Sequence, residues 1–176
     1  MNHIVIIGFM GSGKTRVGKR LANDLQLPFV DVDKTIVKKM GLTIKEIYEK
    51  FGEPFYRALE TMKIKELLED KEKKVVSLSS GCPMQEQNQK YLKELGTVVY
   101  LNGSFQTLKK RLESTNSDPS LEGDNREEKI KKLLKQRTPV YEKFADIQAV
   151  TGVKPFEGLI QEIEEKLEER YAENEE

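Results

Sequence analysis

The chain has 176 residues with 30 Lys+Arg against 30 Asp+Glu, so no net charge draws it to nucleic acid or to an anionic membrane. A single cysteine, Cys82, excludes an internal disulfide, and a single histidine, His3, excludes a His/Cys metal cluster and a His-based triad, which leaves carboxylates, Lys, Arg, hydroxyls and a hard cation to do chemistry. No apolar run approaches the ~20 residues of a membrane span and the start lacks a signal-peptide core, so the expectation is one soluble, cytoplasmic domain over residues 1–176.

The first element sets the rest. An apolar run, His3 to Ile7, leads into Gly8-Phe9-Met10-Gly11-Ser12-Gly13-Lys14-Thr15, and an amphipathic stretch to Leu25 follows. This is G-x-x-x-x-G-K-[ST] in its required context of strand, loop and helix. Backbone amides of such a loop and the positive end of the helix hold phosphate oxygens, so Gly11, Ser12, Gly13, Lys14, Thr15 and Arg16 form the expected nucleotide-binding stretch. Lys14 is expected to reach the β- and γ-phosphates of a nucleoside triphosphate, and the Thr15 hydroxyl to ligate Mg²⁺.

Pro28 closes the first helix, and Phe29 to Asp33 reads as a second strand whose alternation puts Asp31 and Asp33 on one side, at its carboxyl end. The alternative for this pair is polar capping of a strand end. Residues 34–70 read as helical, broken near Gly41 and at Gly52-Glu53-Pro54, with Thr43 and Glu46 as a capping box opening a helix at 44–51. Arg57 and Glu60 share a face of the next helix, and Leu59, Met62, Ile64, Leu67 and Leu68 read as core. That is more helix than a strand-to-strand crossover needs, so part of it is a candidate substrate-binding insertion.

A third strand, Val75 to Ser79, ends in Ser80-Gly81-Cys82-Pro83, and a fourth runs Thr97 to Leu101. Their nearly continuous apolar character suits parallel strands covered on both faces. Phe105, Leu108 and Leu112 mark a helix carrying Lys109, Lys110 and Arg111. The polar stretch 114–125 is too long for a plain connection and reads as a lid. A charged helix, Glu127 to Arg137, a break at Thr138-Pro139, a short helix to Ala145, a fifth strand, Ile147 to Thr151, and a closing helix at 155–171 complete the chain, with a frayed acidic tail. Cys82, beside the third strand's end, reads as a packed residue rather than a nucleophile.

Several of these stretches together resemble the shikimate kinase family, within the nucleoside-monophosphate-kinase-like P-loop group. They are Gly8–Thr15, Asp31-Val32-Asp33, Gly52-Glu53 with Tyr56-Arg57 and Glu60, Val98 to Leu101, and Arg137 to Tyr141 with Ala145-Asp146. The resemblance implies a three-layer α/β P-loop fold with a five-stranded parallel sheet in the order 2-3-1-4-5, a substrate-binding segment at about 34–60 and a lid at about 112–125. It implies transfer of the γ-phosphoryl of ATP to a hydroxyl of shikimate, giving shikimate 3-phosphate for aromatic amino acid biosynthesis, by a monomer. Asp33 matches the residue that binds the acceptor hydroxyl and takes its proton, and Asp31 the carboxylate near Mg²⁺. Arg57 and Arg137 match the clamp on the substrate carboxylate, where a guanidinium fork serves better than lysine. Lys14, Asp33 and Arg57 are thus the expected catalytic set, Thr15 and Asp31 the metal site, and Gly81 a further substrate contact. Lys110 or Arg111 stands where the family puts a cation against adenine.

Two positions depart from the family pattern. Ser79-Ser80-Gly81 replaces a triple-glycine turn, which narrows the approach to substrate, or forbids it if either serine needs a positive φ. Asp118 stands before Pro119 where lids of the family carry an arginine, so an anion replaces a cation. Three readings follow: a shikimate kinase, a kinase for another hydroxy acid such as gluconate, or a nucleotide-binding regulatory protein that has lost turnover.

Overall fold

The computed structural model describes residues 2–115 and 118–173; Asn116 and Ser117 of the expected lid and residues 174–176 of the expected frayed tail lie outside the described residues. Strand β1 (His3–Gly8) is buried along its whole length and lies at the centre of a parallel sheet. Its neighbours are β3 (Val75–Ser77) and β4 (Gly96–Gly103), with Ile4 opposite both Val75 and Thr97. Beyond them β2 (Phe29–Asp31) pairs with β3 and β5 (Ile147–Thr151) with β4, giving the order β2-β3-β1-β4-β5.

Alternation along β1 builds the layers, because successive side chains leave a strand on opposite faces. Ile4 and Ile6 pack with Val17 and Leu21 of α1 (Lys14–Asp24) and with Ile160 and Ile163 of α8 (Phe156–Glu173). Val5 and Ile7 face the other way, toward α2 (Val32–Met40), α4 (Glu53–Glu69), α5 (Glu86–Leu95) and α7 (Arg126–Phe144). Between α2 and α4 lies α3 (Ile44–Phe51), opened by the expected Thr43/Glu46 capping box. Helix α6 (Phe105–Leu112) follows β4.

Three expectations change. The second strand stops at Asp31, and Asp33 lies in the first turn of α2. Asp31 is the N-cap: its carboxylate accepts from Lys34 N at 3.1 Å, so a residue type suited to capping turned the chain into a helix before alternation along a strand applied. The break expected at Pro139 is absent, since α7 runs through it. An internal proline removes one helical hydrogen bond, but Arg137 and Tyr141 on either side are both tied to Ser80 and hold the axis. Met62 is 53% exposed, because the buried face of α4 is set by Tyr56, Arg57, Glu60, Ile64 and Leu67 and Met62 falls opposite it.

Candidate active site

At the carboxyl edge of the sheet, β1 ends in the loop 8–15 and β3 in Ser79-Ser80-Gly81, while β2 gives way to α2 at Asp31. Ligands of open α/β sheets bind at this edge. A cavity of about 270 Å³ opens here, and its walls include Lys14, Asp33, Arg57, Gly81, Arg111 and Asp118. Gly13, the N-cap of α1, has φ +93, a conformation that turns the loop amides inward and that side chains resist.

Lys14 Nζ donates to the carbonyls of Gly8 and Phe9, both at 3.0 Å, and so lies folded along the loop. Burial pulls its pKa down to about 8, while the charges of Asp33, Asp31 and Asp118 hold it up. The Thr15 hydroxyl donates to Asp31 Oδ2 at 2.7 Å, which places two oxygens side by side next to the phosphate loop. No group of three or more His, Cys, Asp or Glu that could hold a metal occurs among the described residues. A hydroxyl and one carboxylate suit Mg²⁺, which keeps most of its waters and takes further oxygens from phosphates.

Asp33 accepts a hydrogen bond from Tyr56, a residue buried in α4. Burial raises the Asp33 pKa; the Tyr56 hydrogen bond opposes the rise, the Asp31 charge adds to it and Lys14 counters it. Arg57 is held on two sides, by Glu53 at 3.1 Å and by the fully buried Glu60 at 2.8 Å. Burial pushes the Glu60 carboxyl up to about 7 against the pull of Arg57 and of the Ser79 hydroxyl. The Arg57 guanidinium lies flat on Gly81, where a Cβ would come within 2.4 Å of Nη2. Here the absence of a side chain is what admits the arginine.

The two serines are accommodated. Among the described residues the non-glycine positions with positive φ are Gln26 and Asn125, so neither Ser79 nor Ser80 is strained. Both hydroxyls instead engage the arginine pair. Ser79 donates to Glu60 and lies 3.4 Å from Arg57 Nη1. Ser80 accepts from Arg137 Nη1 at 2.7 Å. Arg137 stands behind Ser80 and outside the cavity lining, 9% exposed, and no carboxylate pairs with it among the described residues.

Of the two candidate cations on α6, Arg111 reaches the loop, donating to Gly11 O at 3.0 Å and to Thr151 Oγ1 at 3.1 Å. Lys110 is exposed and outside the lining of this cavity. The Arg16 guanidinium stacks 3.9 Å over the Phe156 ring. Asp118 caps a short 3₁₀ turn, Pro119–Leu121, by accepting from Ser120 N at 2.9 Å. Leu121, 1% exposed, anchors that turn beside α3, and Glu122 pairs with Lys45 at 3.0 Å.

Sequence reasoning did not find Tyr56, Tyr141 or Thr151 as parts of this site. Tyr56 carried a signal, since it lies one helical turn before Glu60 on the same face. Tyr141 stood in a stretch that carried the family resemblance but was given no role, and Thr151 carried no signal, because its partner is set by tertiary contact.

Residues 10–168 match the family model described as "SKI: Shikimate kinase". The shikimate kinase of Thermodesulfovibrio yellowstonii is 41% identical over 167 residues, which cover 93% of this chain and 96% of that protein. Among solved structures, a shikimate kinase from Acinetobacter baumannii in complex with shikimate superimposes with a TM-score of 0.82 at 33% identity, covering 99% of this chain and 94% of that one. A gluconokinase from Sinorhizobium meliloti, at TM-score 0.56 and 19% identity over 98% of this chain and 94% of that one, shares the fold alone.

Proposed function

This chain belongs to the shikimate kinase family, and on that premise we propose how its own residues carry out ATP-dependent phosphorylation of a shikimate hydroxyl, giving shikimate 3-phosphate. The protein is a phosphotransferase with an alcohol group as acceptor. In this reading the loop 8–15 and Lys14 take the triphosphate of ATP, with Arg111 toward the base. Thr15 and Asp31 would hold Mg²⁺, which would supply charge neutralisation at the phosphates. Segment 34–60 forms the acceptor side, and 112–125 closes over it within a single domain. A monomer is part of this reading. No helix among the described residues is long and apolar enough to cross a membrane.

Asp33 is the base. Its carboxylate orients the acceptor hydroxyl and takes the proton as the new O–P bond forms and the bond to the ADP oxygen breaks. Arg57 and Arg137 hold the acceptor carboxylate, aided by the Gly81 amide. The observation that carries this reading is Arg137. An arginine that is 9% exposed, with no carboxylate partner among the described residues, is costly unless a ligand brings the anion. Arg57, by contrast, already has Glu53 and Glu60.

The test is ADP release from ATP with shikimate, quinate, gluconate or no acceptor, each with and without Mg²⁺. Mg²⁺-dependent release with shikimate is expected. Release with gluconate in its place would change the acceptor, and tight ATP binding without release would make the protein a nucleotide sensor.

A further inference from the structure

Ser80 lines the cavity while only 5% exposed, and its polar contacts form a closed set. Arg137 Nη1 lies 2.7 Å from Ser80 Oγ, Tyr141 Oη lies 3.0 Å from the same oxygen, and the Tyr141 hydroxyl donates to Ser80 O at 2.6 Å. A guanidinium can only donate, so Ser80 Oγ must accept from Arg137. The carbonyl can only accept, so the Tyr141 proton goes to Ser80 O. The one proton left, on Ser80 Oγ, then points at Tyr141 Oη. Only one arrangement of protons satisfies the four groups, and such chains stiffen what they hold.

Tyr141 supports this chain from below. It is fully buried, with its ring 5.2 Å from that of Tyr100 on β4. The chain therefore runs from the sheet, through Tyr141 and Ser80, to the Arg137 guanidinium, which also lies 6.0 Å from the centre of the Phe9 ring and has no paired acid among the described residues. One N–H of the fork held by Ser80 and the Phe9 ring alongside together restrict the orientation of the guanidinium and so the directions in which its other N–H groups offer themselves.

We propose that Ser80 is a positioning residue for acceptor recognition, setting through Tyr141 the angle at which Arg137 meets the substrate carboxylate. This rests on the reading of Arg137 given above. Ser80 takes no part in phosphoryl transfer itself, so its hydroxyl should matter to acceptor binding and not to the nucleotide or the chemical step.

The experiment is steady-state kinetics of Ser80→Ala, Ser80→Gly, Ser80→Thr, Tyr141→Phe, Arg137→Ala and the Ser80→Ala/Arg137→Ala pair, with Tm recorded for each. Ser80→Ala should raise KM for shikimate ~10-fold, the worth of one hydrogen bond to a charged group, with KM for ATP and kcat held. Ser80→Gly should do the same without adding a methyl group, and Ser80→Thr, which keeps a hydroxyl, should stay close to the parent. Tyr141→Phe should raise KM for shikimate by less than Ser80→Ala. The double variant should be no worse than Arg137→Ala alone, because the hydroxyl acts only through that arginine. An unchanged KM in both Ser80→Ala and Ser80→Gly, while Arg137→Ala raises it, overturns this proposal and leaves the carboxylate site standing. So does a matched rise in both substrates' KM with a lower Tm, which is the mark of general loosening. If Arg137→Ala leaves KM for shikimate unchanged, both readings fall.

Discussion

Asp33 and Glu60 are both carboxylates that feel the charge of Arg57, yet their surroundings assign them different work. Asp33 faces the cavity with Tyr56 behind it, whereas Glu60 is sealed beneath Arg57 and Ser79. Replacing Asp33 by Asn keeps the shape and removes the proton acceptor, so ATP affinity should hold while turnover falls ~10²-fold or more. Isothermal titration with ATP beside steady-state rates checks this, and an unchanged rate would take Asp33 out of the mechanism. For Glu60 the expectation concerns pH and stability. Burial moves its pKa from 4.5 to about 7, so between those values the folded chain keeps a proton that the unfolded chain has released. Its stabilising contribution is full below about 4.5 and is lost as pH rises through about 7. Glu60→Gln does not titrate there, so the Tm of the parent minus that of the variant should shrink between about pH 5 and pH 8. A difference that is flat or widens with pH would show that another group titrates. Neither partner set was legible beforehand beyond Arg57–Glu60, which helical spacing revealed; the Ser79 and Tyr56 contacts come from segments 19 and 23 residues away.

Among the elements, the phosphate loop and its flanking strand and helix were readable because the motif is local and its glycines have a single geometric purpose. The β2–α2 corner was not, since Asp31 suits both a strand end and an N-cap and only the partner amide of Lys34 decides. The lid shows the same ambiguity in its chemistry. Asp118 looked like a lost arginine, but its carboxylate caps the 3₁₀ turn that Leu121 anchors. It also lines the cavity, and its charge is felt at Lys14. Those two roles separate on substitution. Asp118→Asn keeps a capping oxygen and removes the anion that a triphosphate would meet, so KM for ATP should drop severalfold. Asp118→Ala loses the cap as well, at about 1 kcal/mol, and should gain less or nothing. If Asn and Ala behave alike, the cap has no part in shaping the closed turn.

Across the whole molecule, two apolar layers fix the sheet and leave its carboxyl edge to polar groups from the P-loop, α2, α4, the β3 turn and the lid. The continuous apolar strands foretold parallel pairing, but the strand order came only from likeness to a family, because nothing within one strand says which neighbour it meets. Contributions from so many elements to one cavity make ligand binding a test of the whole arrangement. A ligand held only by the folded state at 100 times its Kd stabilises by ~2.7 kcal/mol, which for a chain of this size is a rise in Tm of roughly 5–10 °C. Shikimate alone and Mg-ATP alone should each produce such a rise, since Arg137 and Lys14 lie in different elements and neither has a carboxylate ion pair among the described residues. Arg137→Ala should abolish the shift with shikimate and keep that with Mg-ATP, and Lys14→Ala should do the reverse. Scanning calorimetry on the three proteins separates these cases. Loss of both shifts in either variant would mean that the two halves of the cavity form only together, and the division of labour between the phosphate loop and the arginine pair would have to be given up.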